Sequence, residues 1–174
     1  MSAVSQSDCL GKCFVELLNL ANENDADPYV QFFVGKCYMF GRGVNRNDVE
    51  AARFLRVAAS RQLAEAQFNL GILHMLGRGV EQNDEKAVQM LQLAADQQFA
   101  RAEYFLGMAI DHGLDGVQQD SDLASHYIDR AANRGFSGLN AMYQRDEPWV
   151  DPRNHKKNNP YWEALNRFEP APHG

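Results

Sequence analysis

Residues 64–80 read AEAQFNLGILHMLGRGV, and the same text returns 36 residues earlier and 36 later in altered spelling. Residues 28–44 read PYVQFFVGKCYMFGRGV, and residues 100–117 read ARAEYFLGMAIDHGLDGV. Gly35, Gly71 and Gly107 are spaced by 36, as are Gly41, Gly77 and Gly113. Gly43 and Gly79 keep that step, and so do Val44 and Val80. The third copy carries one extra residue, so its Gly116 and Val117 arrive one place late. The register then resumes at Ala51, Ala87 and Ala124, and at the pairs Ala58-Ala59, Ala94-Ala95 and Ala131-Ala132. A period of this length is the signature of a stacked repeat, in which each unit cannot bury its apolar face alone. The units are 28–63, 64–99 and 100–136.

Each unit reads as two helices. In the second, Ala66, Leu70, Gly71 and Leu73 form a small-apolar stripe at helical spacing. Gly77 follows that run and suits a left-handed terminus, where a Cβ would be strained. Asp84 is then expected as the N-cap of a second helix bearing Ala87, Met90, Leu91, Ala94 and Ala95. Asp48 is expected in the same role in the first unit, and Asp120 or Ser121 in the third. Gly71 and the Ala94-Ala95 pair let neighbouring helix axes approach closely. Arg42 and Arg78 follow helix ends, where a positive charge favours the dipole.

The pattern A-x-x-x-L-G, G-x-G-V, D-x-x-x-A, A-A resembles the Sel1-like repeat, a relative of the tetratricopeptide repeat. The likeness covers residues 28–136. It implies an all-α, right-handed α-solenoid whose concave face is lined by the first helix of each unit. It also implies adaptor, scaffold or assembly work in a bacterial setting. A cysteine-rich branch of the family associated with β-lactam binding depends on paired cysteines in each repeat. Those pairs are lacking here, so that activity is not carried over.

Mapping the related repeat's inner positions onto this register gives Tyr29, Phe32, Lys36, Met39 and Phe40 in the first unit. It gives Glu65, Phe68, Ile72, Met75 and Leu76 in the second, and Arg101, Tyr104, Met108, Asp111 and His112 in the third. Phe32, Phe68 and Tyr104 also suit the core between stacked units. Met39, Phe40, Met75 and Leu76 are expected to face a partner or the tail. A methionine-rich apolar groove suits adaptable packing against a peptide or helix.

Outside the repeats, residues 1–27 read as an N-terminal capping helix with Cys9, Cys13, Val15, Leu17, Leu18 and Leu20 apolar. Residues 137–145 align with a degenerate fourth first-helix, with Gln144 where the register places a glycine. Residues 146–174 hold five of the six prolines, too many for a long helix. Yet they carry Trp149, Tyr161, Trp162 and Phe168, which are expected to dock on the solenoid or on a second copy.

The 174 residues carry a formal net charge of −6, which disfavours nucleic acid as a partner. Three cysteines, Cys9, Cys13 and Cys37, do not form a disulfide framework. Cys9 and Cys13 share a helical face and are expected in a helix interface. No stretch is long and apolar enough for a membrane span, and no basic region precedes the apolar N-terminal stretch. Gly-x-Gly preceded by a helix does not suit phosphate binding, which uses a preceding strand. His74, His112, His126, His155 and His173 fall in no metal or catalytic spacing, and Asp111-His112 are adjacent residues that face apart on a helix. The expectation is therefore a cytoplasmic, cofactor-free adaptor that binds another protein and is not an enzyme. It could also pair with itself through the apolar face or the tail. The alternative is a dedicated inhibitor of one cognate partner, such as an immunity protein, or a secretion chaperone.

Overall fold

The computed structural model describes residues 6–23, 25–114 and 116–136, with side chains described from residue 11. Within these residues the chain forms α1 Gln6–Ala21, α2 Pro28–Phe40, α3 Asp48–Ser60, α4 Ala64–Leu76, α5 Asp84–Asp96, α6 Ala100–His112 and α7 Ser121–Asn133. Each repeat is a pair of 13-residue helices, α2–α3, α4–α5 and α6–α7. Each helix packs on the next in chain order, the arrangement of an all-α solenoid.

Glycine sets the distance within each pair. A Cβ on Gly35 would lie 2.9 Å from Leu55 Cγ, and one on Gly71 would lie 3.1 Å from the Ala87 carbonyl oxygen. At Gly107 it would lie 2.8 Å from the Ala124 oxygen. The second helices meet this approach with the fully buried Ala51, Ala87 and Ala124. Leu70 and Leu106 are buried between the helices, as their register predicts. The first helices end at left-handed Gly41, Gly77 and Gly113, with φ of 67°, 63° and 60°. In the second unit the Gly77 and Arg78 amides both return to the Leu73 carbonyl.

The N-caps of the second helices differ from expectation by one residue in the first two units, while in the third Asp120 caps as expected. Asn47, Asn83 and Asp120 are the caps, while Asp48 and Asp84 occupy the first helical position. The Asn47 side-chain carbonyl accepts from the Val49 and Glu50 amides, and Asn83 accepts from the Lys86 amide. An extended residue must precede the first helical one to aim its side chain at those amides. Asp48 and Asp84 instead place carboxylates in the first turn, where the helix dipole favours them.

The core runs as three successive clusters. Phe14, Ala21, Val34 and Phe54 join α1 to the first unit. Leu55, Ala58, Leu63, Leu70 and Leu73 bridge the first and second units. Phe68, Leu91, Ala94, Leu106 and Leu114 bridge the second and third. Among the described side chains of α1 the buried residues are Phe14 and Ala21, while Val15, Leu20 and Cys13 are exposed. The expected interface position of Cys13 is thereby corrected: the helix presents Phe14, about 100° further round, to the core. The Cys9 side chain and all of residues 137–174 lie outside the described residues.

A third periodic feature is polar. Gln31, Gln67 and Glu103 hold one register position and are all buried. Gln31 and Gln67 donate to the carbonyls of Ala21 and Ala59, each in the preceding helix. The parallel shows α1 meeting α2 much as α3 meets α4. Glu103 cannot donate as an amide does; it accepts from Arg134 and forms an ion pair with Arg130 instead.

Candidate functional site

The first helices present one stripe to solvent. On α2 it runs through Tyr29, Phe33, Lys36 and Phe40, at i, i+4, i+7 and i+11, which fall on one helical face. Its register mates are Glu65, Asn69, Ile72 and Leu76 on α4, and Arg101, Phe105, Met108 and His112 on α6. Tyr29 and Phe33 are each 51% exposed, and Arg101 and His112 are exposed. Lys36, Phe40, Glu65, Asn69, Phe105 and Met108 are half-buried, while Ile72 and Leu76 are buried. The stripe is thus open on α2 and α6 and sealed on α4.

Several expected surface residues belong to the core instead. Met39, Met75 and Leu76 are buried, which corrects the expectation that they face a partner. Phe32, Phe68 and Ile72 are buried as well. The reason is rotation. Met39 and Met75 stand about 100° from Phe40 and Leu76 on their helices, which turns them toward the paired helix and the adjoining unit. Leu76 is covered because α4 has a neighbouring unit on each side. Tyr104 is half-buried, with its ring 5.5 Å from that of Phe136. Asp111 is half-buried and accepts from Ser121, so it serves the α6–α7 connection. Phe33 was not among the sequence-derived candidates. Continuing the i, i+4 stripe from Tyr29 would have found it.

Cations gather on this face of an acidic chain. Lys36 Nζ lies 5.4 Å from the centroid of the Phe32 ring, and the Arg42 guanidinium lies 5.5 Å from that of Phe40. Such stacking keeps a cation over an aromatic face while leaving it available to an anion. Burial presses the Lys36 pKa below its ordinary value, and the charges of Arg42 and Arg101 press it the same way. Arg101 belongs to the third unit, so cations from both open flanks act on one another across α4. Burial also raises the neighbouring Cys37 thiol, against the opposing pull of Arg42 and Lys36. Among the described residues Lys36, Arg42 and Arg101 make no ion pair. Arg78, the register mate of Arg42, is turned to Asp48.

Among the described residues no group of three or more His, Cys, Asp or Glu side chains gathers as a metal site. The His74 imidazole is held at 3.1 Å from the Glu81 carbonyl oxygen. No described helix is long and apolar enough to cross a membrane. Trp149, Tyr161, Trp162 and Phe168, expected to dock, lie outside the described residues.

The Sel1 repeat profile matches residues 28–63, 64–99 and 100–136. No curated protein matches the chain. Among solved structures, a Sel1 repeat protein from Oxalobacter formigenes is similar at 30% identity and a TM-score of 0.64, covering 75% of this chain and 58% of its own. A protective antigen present in uropathogenic Escherichia coli strains, displaying an SLR fold, is similar at 19% identity and a TM-score of 0.67. That likeness covers 94% of this chain and 38% of the antigen, and it speaks to fold alone. The chain therefore spans little more than half the length of the first relative and less of the second.

Proposed function

This chain belongs to the Sel1 repeat family, and from that premise we propose that it is a non-enzymatic interaction module whose α2–α4–α6 stripe receives a peptide or helix of a partner protein. Repeats of this family generally mediate contacts between proteins. The observation that carries the reading is the exposed Tyr29–Phe33 pair standing in line with Lys36. Neighbouring exposed aromatics flanked by cations are costly to leave in water and are typical anchors of binding sites. The work envisaged is that of an adaptor or scaffold. Free thiols at Cys13 and Cys37 suit a reducing compartment, so the cytoplasm is the proposed site of action.

A photo-reactive side chain placed at Phe33 tests this directly. It should cross-link a partner protein in cells, whereas the same group at the exposed Gln89 or Asp129 should not. With the partner in hand, Phe33→Ala should weaken binding by about 2 kcal/mol, the usual loss for a central anchor. Equal cross-linking and equal losses from all three positions would overturn a stripe-centred site.

A further inference from the structure

The stripe's chemistry points to its occupant. Its open part combines two exposed aromatic rings with Lys36, Arg42 and Arg101, none of which is ion-paired among the described residues. A ligand that answers both features carries an aromatic side chain with carboxylates on either side. The chain's own sequence supplies one. Residues 146–151 read DEPWVD: Asp146 and Glu147 precede Trp149, Asp151 follows it, and no cation interrupts them.

We propose that residues 146–151 cover the α2–α4–α6 stripe of the same molecule when no partner is bound, with Trp149 on the Tyr29–Phe33 pair and the carboxylates toward Lys36, Arg42 and Arg101. The inference rests on the stripe being a peptide-binding surface, as proposed above. Charge selects this segment over the remainder of the tail. Residues 153–157 carry Arg153, Lys156 and Lys157, which the stripe's cations repel. Around Tyr161, Trp162 and Phe168 the charges are mixed, with Glu163, Arg167 and Glu169.

Reach permits the contact. The described chain ends at Phe136, whose ring packs on Tyr104 of α6, the helix that bears Arg101. Residues 137–145 separate Phe136 from Asp146. At up to ~3.3–3.6 Å per residue they can span roughly 30 Å. At ordinary helix spacings of about 8–10 Å, the two steps from α6 to α2 would need roughly 20 Å. Energetics also favour the contact. Half-buried Lys36 bears a desolvation cost and repulsion from two arginines, both of which a docked carboxylate offsets. Tethering supplies an effective concentration on the order of millimolar, so a weak site is filled. A partner would then have to present a stronger version of the same acidic-aromatic signature and displace the segment.

The chain holds two tryptophans, Trp149 and Trp162, so Trp162→Phe leaves Trp149 as the one indole reporter in the full-length protein. Docking predicts that acrylamide quenches Trp149 several-fold less than it quenches a free peptide of residues 144–153. Lys36→Glu with Arg101→Glu should raise quenching to the free-peptide level, while Gln89→Glu on another face should not. Should the double reversal unfold the solenoid, Asp146→Lys, Glu147→Lys and Asp151→Lys provide the reciprocal reversal outside the described helices and should give the same rise. Protection that is independent of protein concentration identifies the same molecule as the host. The proposal is overturned if Trp149 quenches like the free peptide, if both reversals leave its protection intact, or if dilution abolishes it, the last assigning the segment to a second copy. Any of these leaves the Phe33 cross-linking result untouched, so the two readings fail separately.

Discussion

The two junctions between successive repeats occupy equivalent register positions and are held by different chemistry. Between the first and second units, Arg78 reaches back to Asp48 through two hydrogen bonds, Nε at 3.1 Å and Nη2 at 2.9 Å. Beside it, Gly79 lies so close to the start of α3 that a Cβ would come within 2.0 Å of the Asp48 carbonyl oxygen. Between the second and third units, the register mate of Arg78 is Leu114, which is 2% exposed in the apolar cluster. The late glycine there, Gly116, has open space where a Cβ would stand. One junction is closed by a polar clasp and backbone contact, the other by an apolar plug. A shared repeat therefore fixes helix order and spacing, while single substitutions decide how each unit grips the next.

The largest difference should appear at the glycines. Gly79 has a φ of 67° and Gly116 a φ of 81°, so alanine is strained at both. At Gly116 that strain is the whole cost, about 1–2 kcal/mol. At Gly79 the new methyl also meets backbone that can yield only by parting the units. Gly79→Ala should lose about 3 kcal/mol or more, since overpacking adds to the conformational term. Urea denaturation of both variants measures the gap. Equal losses would mean that the first junction tolerates separation and that its close contact is incidental to stability.

How much of this was legible in the sequence follows from what a period can encode. Gly35, Gly71 and Gly107 announce close helix pairs because a Cβ at 2.8–3.1 Å from a neighbour would force the axes apart. That signal survives any substitution around it. Helix rotation is less robust. Phe32 and Phe33 are both aromatic, and hydrophobicity does not say which enters the core; the contacts from α3 decide it. The same ambiguity placed Met39 and Met75 on the surface. Capping was displaced by one residue because Asn-Asp pairs at 47–48 and 83–84 offer two good caps in a row. The stripe's cations could be counted in the sequence, but whether the charge of Arg101 is felt at Lys36 depends on how the units stack.

A second, smaller effect concerns the polar position shared by Gln31, Gln67 and Glu103. In the second unit Gln67 accepts from Gln97 at 2.8 Å. In the third, Glu103 is 0% exposed and receives Arg130 Nη2 at 2.7 Å and Arg134 Nε at 3.0 Å. Arg134 also donates to Gln98, tying the C-terminal edge to the preceding unit. Glu103→Gln alone removes the charge that these arginines answer and should cost roughly 1.5 kcal/mol, in keeping with hydrogen bonds to charged groups. Adding Arg134→Gln recreates the Gln67–Gln97 pairing and should recover part of that loss. A double-mutant cycle should therefore return a coupling of about 1 kcal/mol. Strict additivity would show that the two units differ in appearance only.

The smallest effect separates clasp from plug by its response to acid. Arg78→Leu gives the first junction the residue found at the second. Asp48 then keeps Arg46, which approaches it at 3.1 Å but lies more exposed. The side chains of Arg78 and Asp48 are 10% and 23% exposed, so the pair is partly shielded, and at neutral pH its loss should cost about 1 kcal/mol. Burial alone would raise the Asp48 pKa, but the hydrogen bonds and charges of Arg78 and Arg46 outweigh it and hold the carboxyl below its usual range. A folded pKa below the unfolded one stabilises the native state above the unfolded value of about 3.9, and that contribution is lost as pH falls through the folded value. The stability difference between the parent and Arg78→Leu should accordingly stay level from neutral pH to about pH 5 and shrink below about pH 4. Urea titrations at several pH values would follow it. A difference that persists undiminished at the acid end would assign the contribution of Arg78 to packing of its aliphatic stem against the unit below, and the two junctions would then be alike in kind.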